Sequence, residues 1–169
     1  MKNKIAIRMI LLMLIFGFTL IGFQTYNTRA DGISSGLKKA DAIAEVVKSG
    51  LTAHMINGNM SQQSVFLTSI EKTKNIDTIR IIRGENVIKQ YGKSLDLVAP
   101  QDDIDDNVIK TGKAEHKLIE TMSTAKLRVT IPYKATNGND INCLSCHDVK
   151  FNDTLGAVTI VLDVTDFKD

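Results

Sequence analysis

The stretch Cys143-Leu144-Ser145-Cys146-His147 constrains this chain more than any other, because the fold must be organised around whatever those five residues hold. It contains both cysteines of the 169-residue chain and one of its three histidines. Two thiols three positions apart can each form a thioether to one vinyl group of a haem, with the adjoining imidazole beneath the iron as proximal ligand. The spacing therefore predicts one covalent haem c, attached through Cys143 and Cys146 and ligated by His147. Structural zinc fits less well: it needs four ligands, and the chain has no second Cys-x-x-Cys and no His-x3-5-His run. His54 or His116 would have to be recruited from far away. A redox pair or plain disulfide stays as the alternative, although a thioredoxin-like pair opens a helix after a buried strand, and Thr136-Asn137-Gly138-Asn139-Asp140 ahead of this one reads as a loop.

The N-terminus supplies an address. Lys2, Lys4 and Arg8 precede Met9 to Thr28, a stretch of 20 residues without a formal charge. That is near the roughly 20 residues needed to cross a bilayer and longer than the core of a signal peptide. Residues 1–30 are therefore expected to be an uncleaved anchor and residues 31–169 the exported domain. A cleaved signal is the alternative, Thr28-Arg29-Ala30 loosely matching a small-x-small site. The positive charges ahead of the span place the N-terminus in the cytoplasm and the domain outside. Net charge is only +2, with no aromatic-interleaved basic patch, so nucleic acid is set aside.

From Ile33 the pattern is helical. Leu37, Ala40, Ile43, Ala44, Val47 and Leu51 form one apolar stripe, with a stop expected at Asn57-Gly58 and Gly50 weakening the middle. Ser61 is a candidate N-cap for a second helix carrying Val65, Phe66, Leu67 and Ile70 and ending near Lys74. Period two then takes over. Asp77 to Arg83 and Asn86 to Tyr91, around Gly84-Glu85, read as a hairpin with Ile79 and Ile81 inward. Pro100 and the acidic run Gln101 to Asp106 open a short helix closed by Gly112; its aspartates read as capping and solvated groups. Lys117 to Met122 and Lys126 to Tyr133 read as paired strands, Pro132 requiring an edge or irregular position. Thr154 to Val164, β-branched almost throughout, reads as a central strand covered on both faces. The sum is an α+β domain, an antiparallel sheet of about five strands with helices packed on it.

This order disfavours the small helical electron carriers, which carry the motif near the N-terminus, and the four-helix cytochromes, whose last segment has a period of 3.6. Five blocks, Leu51 to Met60, Ile79 to Gly92, Leu127 to Ala135, Asn142 to Val149 and Leu155 to Ala157, together resemble the PAS-like c-type haem sensor domains outside the membrane in bacterial chemoreceptors, sensor kinases and cyclic-dinucleotide enzymes. The resemblance covers roughly residues 33–165. It implies a periplasmic PAS-like haem domain on a single-pass inner-membrane protein. Such receptors carry a second span and an output module after the last strand, and this sequence stops at Asp169, so a free-standing relative or a fragment is implied.

The opposite axial position then decides the chemistry. Candidates are Met60, Met55, His54, His116 and Met122. Met60 comes first, standing on a turn just past the helix end, and similar sensor domains use a methionine from this region. Met55 reads first as a core residue of the stripe and only then as a ligand, and His54 as a surface histidine or pocket group; His116, between Glu115 and Lys117, reads as solvated. No nucleophile elbow or phosphate-cradling loop is present, so no enzyme is expected. The expected function is sensing of redox state or a small gaseous ligand, with a periplasmic one-electron carrier as alternative. The expected partners are the bilayer through residues 9–28, a second copy of the chain in a homodimer, and a redox partner or gas.

Overall fold

The computed structural model describes residues 2–92, 101–138 and 141–167. Helix α1 (Lys2–Ile56) is continuous through both the apolar N-terminal segment and the amphipathic stripe. At 1.5 Å per residue its 55 residues extend about 80 Å. It ends as its sequence dictates. Gly58 takes φ 64°, its N–H donates to Met55 O, and Asn59 N donates to His54 O, the paired bonds that close a helix on a left-handed residue. A single 3-10 turn (Met60–Gln62) leads into α2 (Gln63–Glu71). The cap of α2 differs from expectation: Gln62 holds the N-cap position without a side-chain bond, and the Ser61 hydroxyl donates instead to Asn59 Oδ1. The helix also ends three residues early, at Glu71, whose carboxylate accepts the Ile79 N–H at 2.7 Å.

Four strands, β1 (Ile76–Arg83), β2 (Glu115–Glu120), β3 (Ala125–Lys134) and β4 (Thr154–Asp163), form one antiparallel sheet in the order β1-β4-β3-β2. The expected first hairpin is corrected. Its second strand is helix α3 (Glu85–Tyr91), and β1 pairs with β4. Gly84 is no hairpin turn: it lies in extended geometry as the N-cap, and its carbonyl accepts from Ile88 N at 3.0 Å. Glu85 meets the positive helix end and pairs with Lys89 one turn on. Val87 and Tyr91, four apart, share one side of α3. The sheet therefore has four strands among the described residues, where about five were expected.

Strand β4 is central, as its composition predicts, and both its faces are covered. On one face Leu127, Val129, Ile131, Val158, Ile160 and Leu162 pack with Ala40, Ala44, Val47 and Leu51 of α1, joined by Leu67 and Ile70 of α2 and by Ile79 and Ile81. On the other, Ile82 and Ala157 pack with Val108 of α4 (Asp103–Thr111). Asp102 caps α4 by accepting Asp105 N, and Gly112 closes it at φ 63°. Pro100 lies outside the described residues, as do Asn139 and Asp140 of the predicted loop. Pro132 sits opposite Ala157 but beyond Thr130, where the β2 ladder stops, so its missing N–H costs the sheet no bond on that side.

One aspartate departs from the solvated reading. Asp105 is 0% exposed; its carboxylate takes Arg80 Nη2 at 2.6 Å, Arg128 Nη2 at 2.5 Å and Gln101 N at 3.0 Å. Thr159, itself bonded to Thr130, approaches it at 3.3 Å. Burial raises the Asp105 pKa, but the backbone bond and the two guanidiniums outweigh it and leave the carboxyl below its ordinary value.

The large apolar side chains of the first half of α1 stand exposed. Leu12, Met13, Phe16, Phe18, Ile21 and Phe23 are each at least 65% exposed. This is the one helix among the described residues long and apolar enough to cross a membrane, as the sequence predicts.

Candidate functional site

A cavity of about 560 Å³ opens between the C-terminal end of α1, the 3-10 turn, the ends of β1 and β4, and the loop joining β3 to β4. Cofactor and small-molecule sites occupy this size range. Its walls are mainly apolar: Leu51, Met55, Met60, Ile81, Val87 and Leu155 contribute, with Cys143, Cys146 and His147 on the loop. Residues some 80 positions apart in sequence thus face one space.

The loop is held from both sides. Cys143 N donates to Thr136 O at 2.8 Å, and His147 N donates back to Cys143 O at 2.9 Å, closing one tight turn over the Cys-x-x-Cys pair. Asn142 Oδ1 accepts from Leu144 N at 3.1 Å. From α3, Gln90 Nε2 donates to Cys146 O at 2.8 Å and Gln90 Oε1 accepts from Asp148 N at 3.0 Å, while the Tyr91 hydroxyl also donates to Cys146 O. The Tyr91 and His147 rings meet edge to face, centroids 5.2 Å apart. Helix α3 is thus a clamp on the residues flanking His147. Both thiols are free; Cys143 is buried beside Ala135 and Leu155, and Cys146 is exposed.

His147 is half-buried, and its Nδ1 is enclosed without a hydrogen-bond partner among the described residues. Burial pushes its pKa down, and the nearby Arg83 charge adds to the effect. The imidazole is therefore neutral at physiological pH, the form with a lone pair to give a metal. Arg83 is the one Lys or Arg of the cavity lining among the described residues; its Nη1 donates to Gly92 O at 2.7 Å, and burial lowers its pKa. Across from the loop, the Tyr133 and Thr52 hydroxyls bond each other, and burial raises the Tyr133 pKa. Gly156 lines the cavity where a Cβ would stand 2.3 Å from Ile82 O, so a side chain there would force β1 from β4.

Of the residues singled out from sequence, Cys143, Cys146, His147, Met55 and Met60 line this cavity. His54 is outside the lining, its ring edge-on to Phe66 at 5.7 Å. His116 is exposed on β2 and Met122 is exposed in the β2–β3 turn. Among the described residues no three His, Cys, Asp or Glu side chains cluster as a metal site. Arg83, Gln63, Gln90 and Tyr91 were not singled out. The period of β1 could have pointed to Arg83, two residues beyond the inward Ile81; Gln90 and Tyr91 were hidden by reading α3 as a strand, and Gln63 depends on chain packing that no local pattern carries. No protein-family model matches the chain, and no curated protein matches it.

Proposed function

We propose that this protein is a membrane-anchored, extracytoplasmic c-type haem sensor domain of PAS-like type, responding to redox state or to a small gaseous ligand. The observation that carries the reading is one cavity lined by both thiols of the Cys-x-x-Cys pair, His147 and Met60. The residues present fit a haem. The volume is that of a cofactor site, the walls are apolar, the His147 ring has an unpartnered nitrogen, and Arg83 supplies a cation for a haem carboxylate. Haem attached here would be held by Cys143 and Cys146, each S–H adding across one vinyl C=C, and ligated by His147.

A bound haem supplies one-electron redox chemistry and a sixth position for a small ligand. The chain's own residues do the rest. Gln90 and Tyr91 fix the loop on which His147 stands, and burial keeps the imidazole unprotonated. Met60 offers a thioether from the 3-10 turn that joins α1 to α2. Its departure frees that turn, and α1 conveys the change toward the membrane. In this reading the domain lies in the periplasm, carried on a bacterial inner membrane; a helix long and apolar enough to span it and the charges of Lys2, Lys4 and Arg8 ahead of it support that orientation.

The test is absorption spectroscopy of the oxidised and reduced holoprotein, with and without nitric oxide. Met60→Ala is expected to convert a six-coordinate low-spin spectrum to high-spin and to raise gas affinity. An unchanged spectrum and affinity would remove Met60 from the switch. The exposed Cys146 favours a second reading, a periplasmic one-electron carrier, since an exposed haem edge suits electron exchange. Rapid reversible exchange with a partner cytochrome, without a gas-dependent change in helix packing or dimerisation, would select it.

A further inference from the structure

Gln63 is the first residue of α2, 4% exposed, and lines the cavity; its Oε1 has no hydrogen-bond partner among the described residues. A buried amide oxygen without a partner destabilises a fold unless something bonds it. Among the described polar side chains of the lining, His147, with its enclosed Nδ1, shares this property, and others are engaged. Thr52 and Tyr133 bond each other, Arg83 bonds Gly92, Asn142 bonds Leu144 N and the Ser145 hydroxyl bonds Asn142 O. The Gln63 backbone N–H in turn donates to Met60 O, so the two residues belong to one turn of chain. Short 3-10 stretches of this kind often mark hinges.

We infer that Gln63 is the specificity-determining residue of the distal pocket: its amide hydrogen-bonds a small ligand that takes the place of Met60. The inference rests on the haem-sensor reading above. A primary amide can present N–H or C=O to the same spot by a half-turn of its terminal torsion. A donor there favours ligands whose outer atom accepts a hydrogen bond and does little for those that accept weakly. Gln63 thereby selects among gases that a purely apolar pocket would hold alike. Because Met60 and Gln63 share a turn, release of the thioether and delivery of the amide are one movement of the chain.

The test compares reduced holoprotein, wild type and Gln63→Leu, with nitric oxide and carbon monoxide. The expected result is nitric oxide dissociating roughly fivefold faster from the variant, the scale of one hydrogen bond, carbon monoxide affinity moving less than twofold, and the C–O stretch shifting to higher frequency. A haem-loaded variant with unchanged nitric oxide kinetics and unchanged C–O stretch overturns the role of Gln63 while leaving the sensor reading intact. Equal weakening of both gases with no shift of the stretch also overturns it, showing packing alone. Wild type that binds neither gas overturns the gas-sensing reading and this inference with it. If Gln63→Leu fails to load haem, Gln63→Glu, nearly isosteric and without the amide donor, is read by the same criteria.

Discussion

At the residue scale, one carboxylate ties three elements together. Asp105 joins α4 to β1 and β3 through Arg80 and Arg128, on the sheet face that α4 covers. Removing one member of a buried ion pair leaves the other charged and unpartnered, so Asp105→Ala is expected to cost about 3–5 kcal/mol, measured by urea unfolding. The acid response follows from the same cluster. Asp102, bonded to Arg128, is held at about 2 against an ordinary value of 3.8, and Asp105 is also lowered. As pH falls, the unfolded chain takes up these protons before the folded one, so the stabilisation is complete above about pH 4 and is lost toward pH 2. The urea midpoint should drop across that window, and less steeply in Asp102→Asn; identical slopes would assign the acid transition to other groups. None of this was legible from the run Asp102 to Asp106. The capping pattern identifies Gly112 correctly and assigns the four aspartates to the helix start as a group, but a run of like charges carries no sign of which member turns inward to meet arginines 25 and 23 residues away.

Among the elements, β3 and β4 were legible because alternation and β-branching are local, and α1 because its stripe is long. Helix α3 was not. Its seven residues are too few to separate a period of 3.6 from alternation, and the partner that β1 takes is the distant β4, not the segment that follows it. Gly50 gives the opposite lesson, of a local rule overridden by packing. By propensity alone Gly50→Ala would stabilise α1 by about 1 kcal/mol. A Cβ there would stand 2.2 Å from Phe66 Cζ on α2, so the ring must move. The substitution should lower Tm, and combining it with Phe66→Leu should recover more than the sum of the single effects. Additive effects would show that α2 yields freely.

For the molecule as a whole, the amphipathic stripe and the apolar segment were each legible, while their fusion into one rod was not: Asp31-Gly32 between them is a turn signal, and the helix runs through it. The cavity was legible only on its loop side. Its other wall comes from residues 51–63, and pattern alone does not say which distant helix end will close over a loop. Spin labels at Leu12 and Phe16, in protein reconstituted into vesicles, should be shielded from aqueous relaxation agents, and labels at Val46 and Ile56 should be accessible. Equal accessibility along α1 would mean that the exposed apolar half is covered by something other than lipid.

The uninterrupted rise of α1 also fixes a distance. Between Thr28, at the end of the apolar segment, and Met55, on the cavity wall, lie 27 residues of helix, about 40 Å along its axis. An upright domain carries its pocket well clear of the lipid headgroups. Electrons held by a carrier dissolved in the bilayer would have no short path to that height, whereas anything diffusing in the aqueous compartment reaches it directly. On the proposed reading the rod would act as a mast, its length selecting which supply the pocket samples.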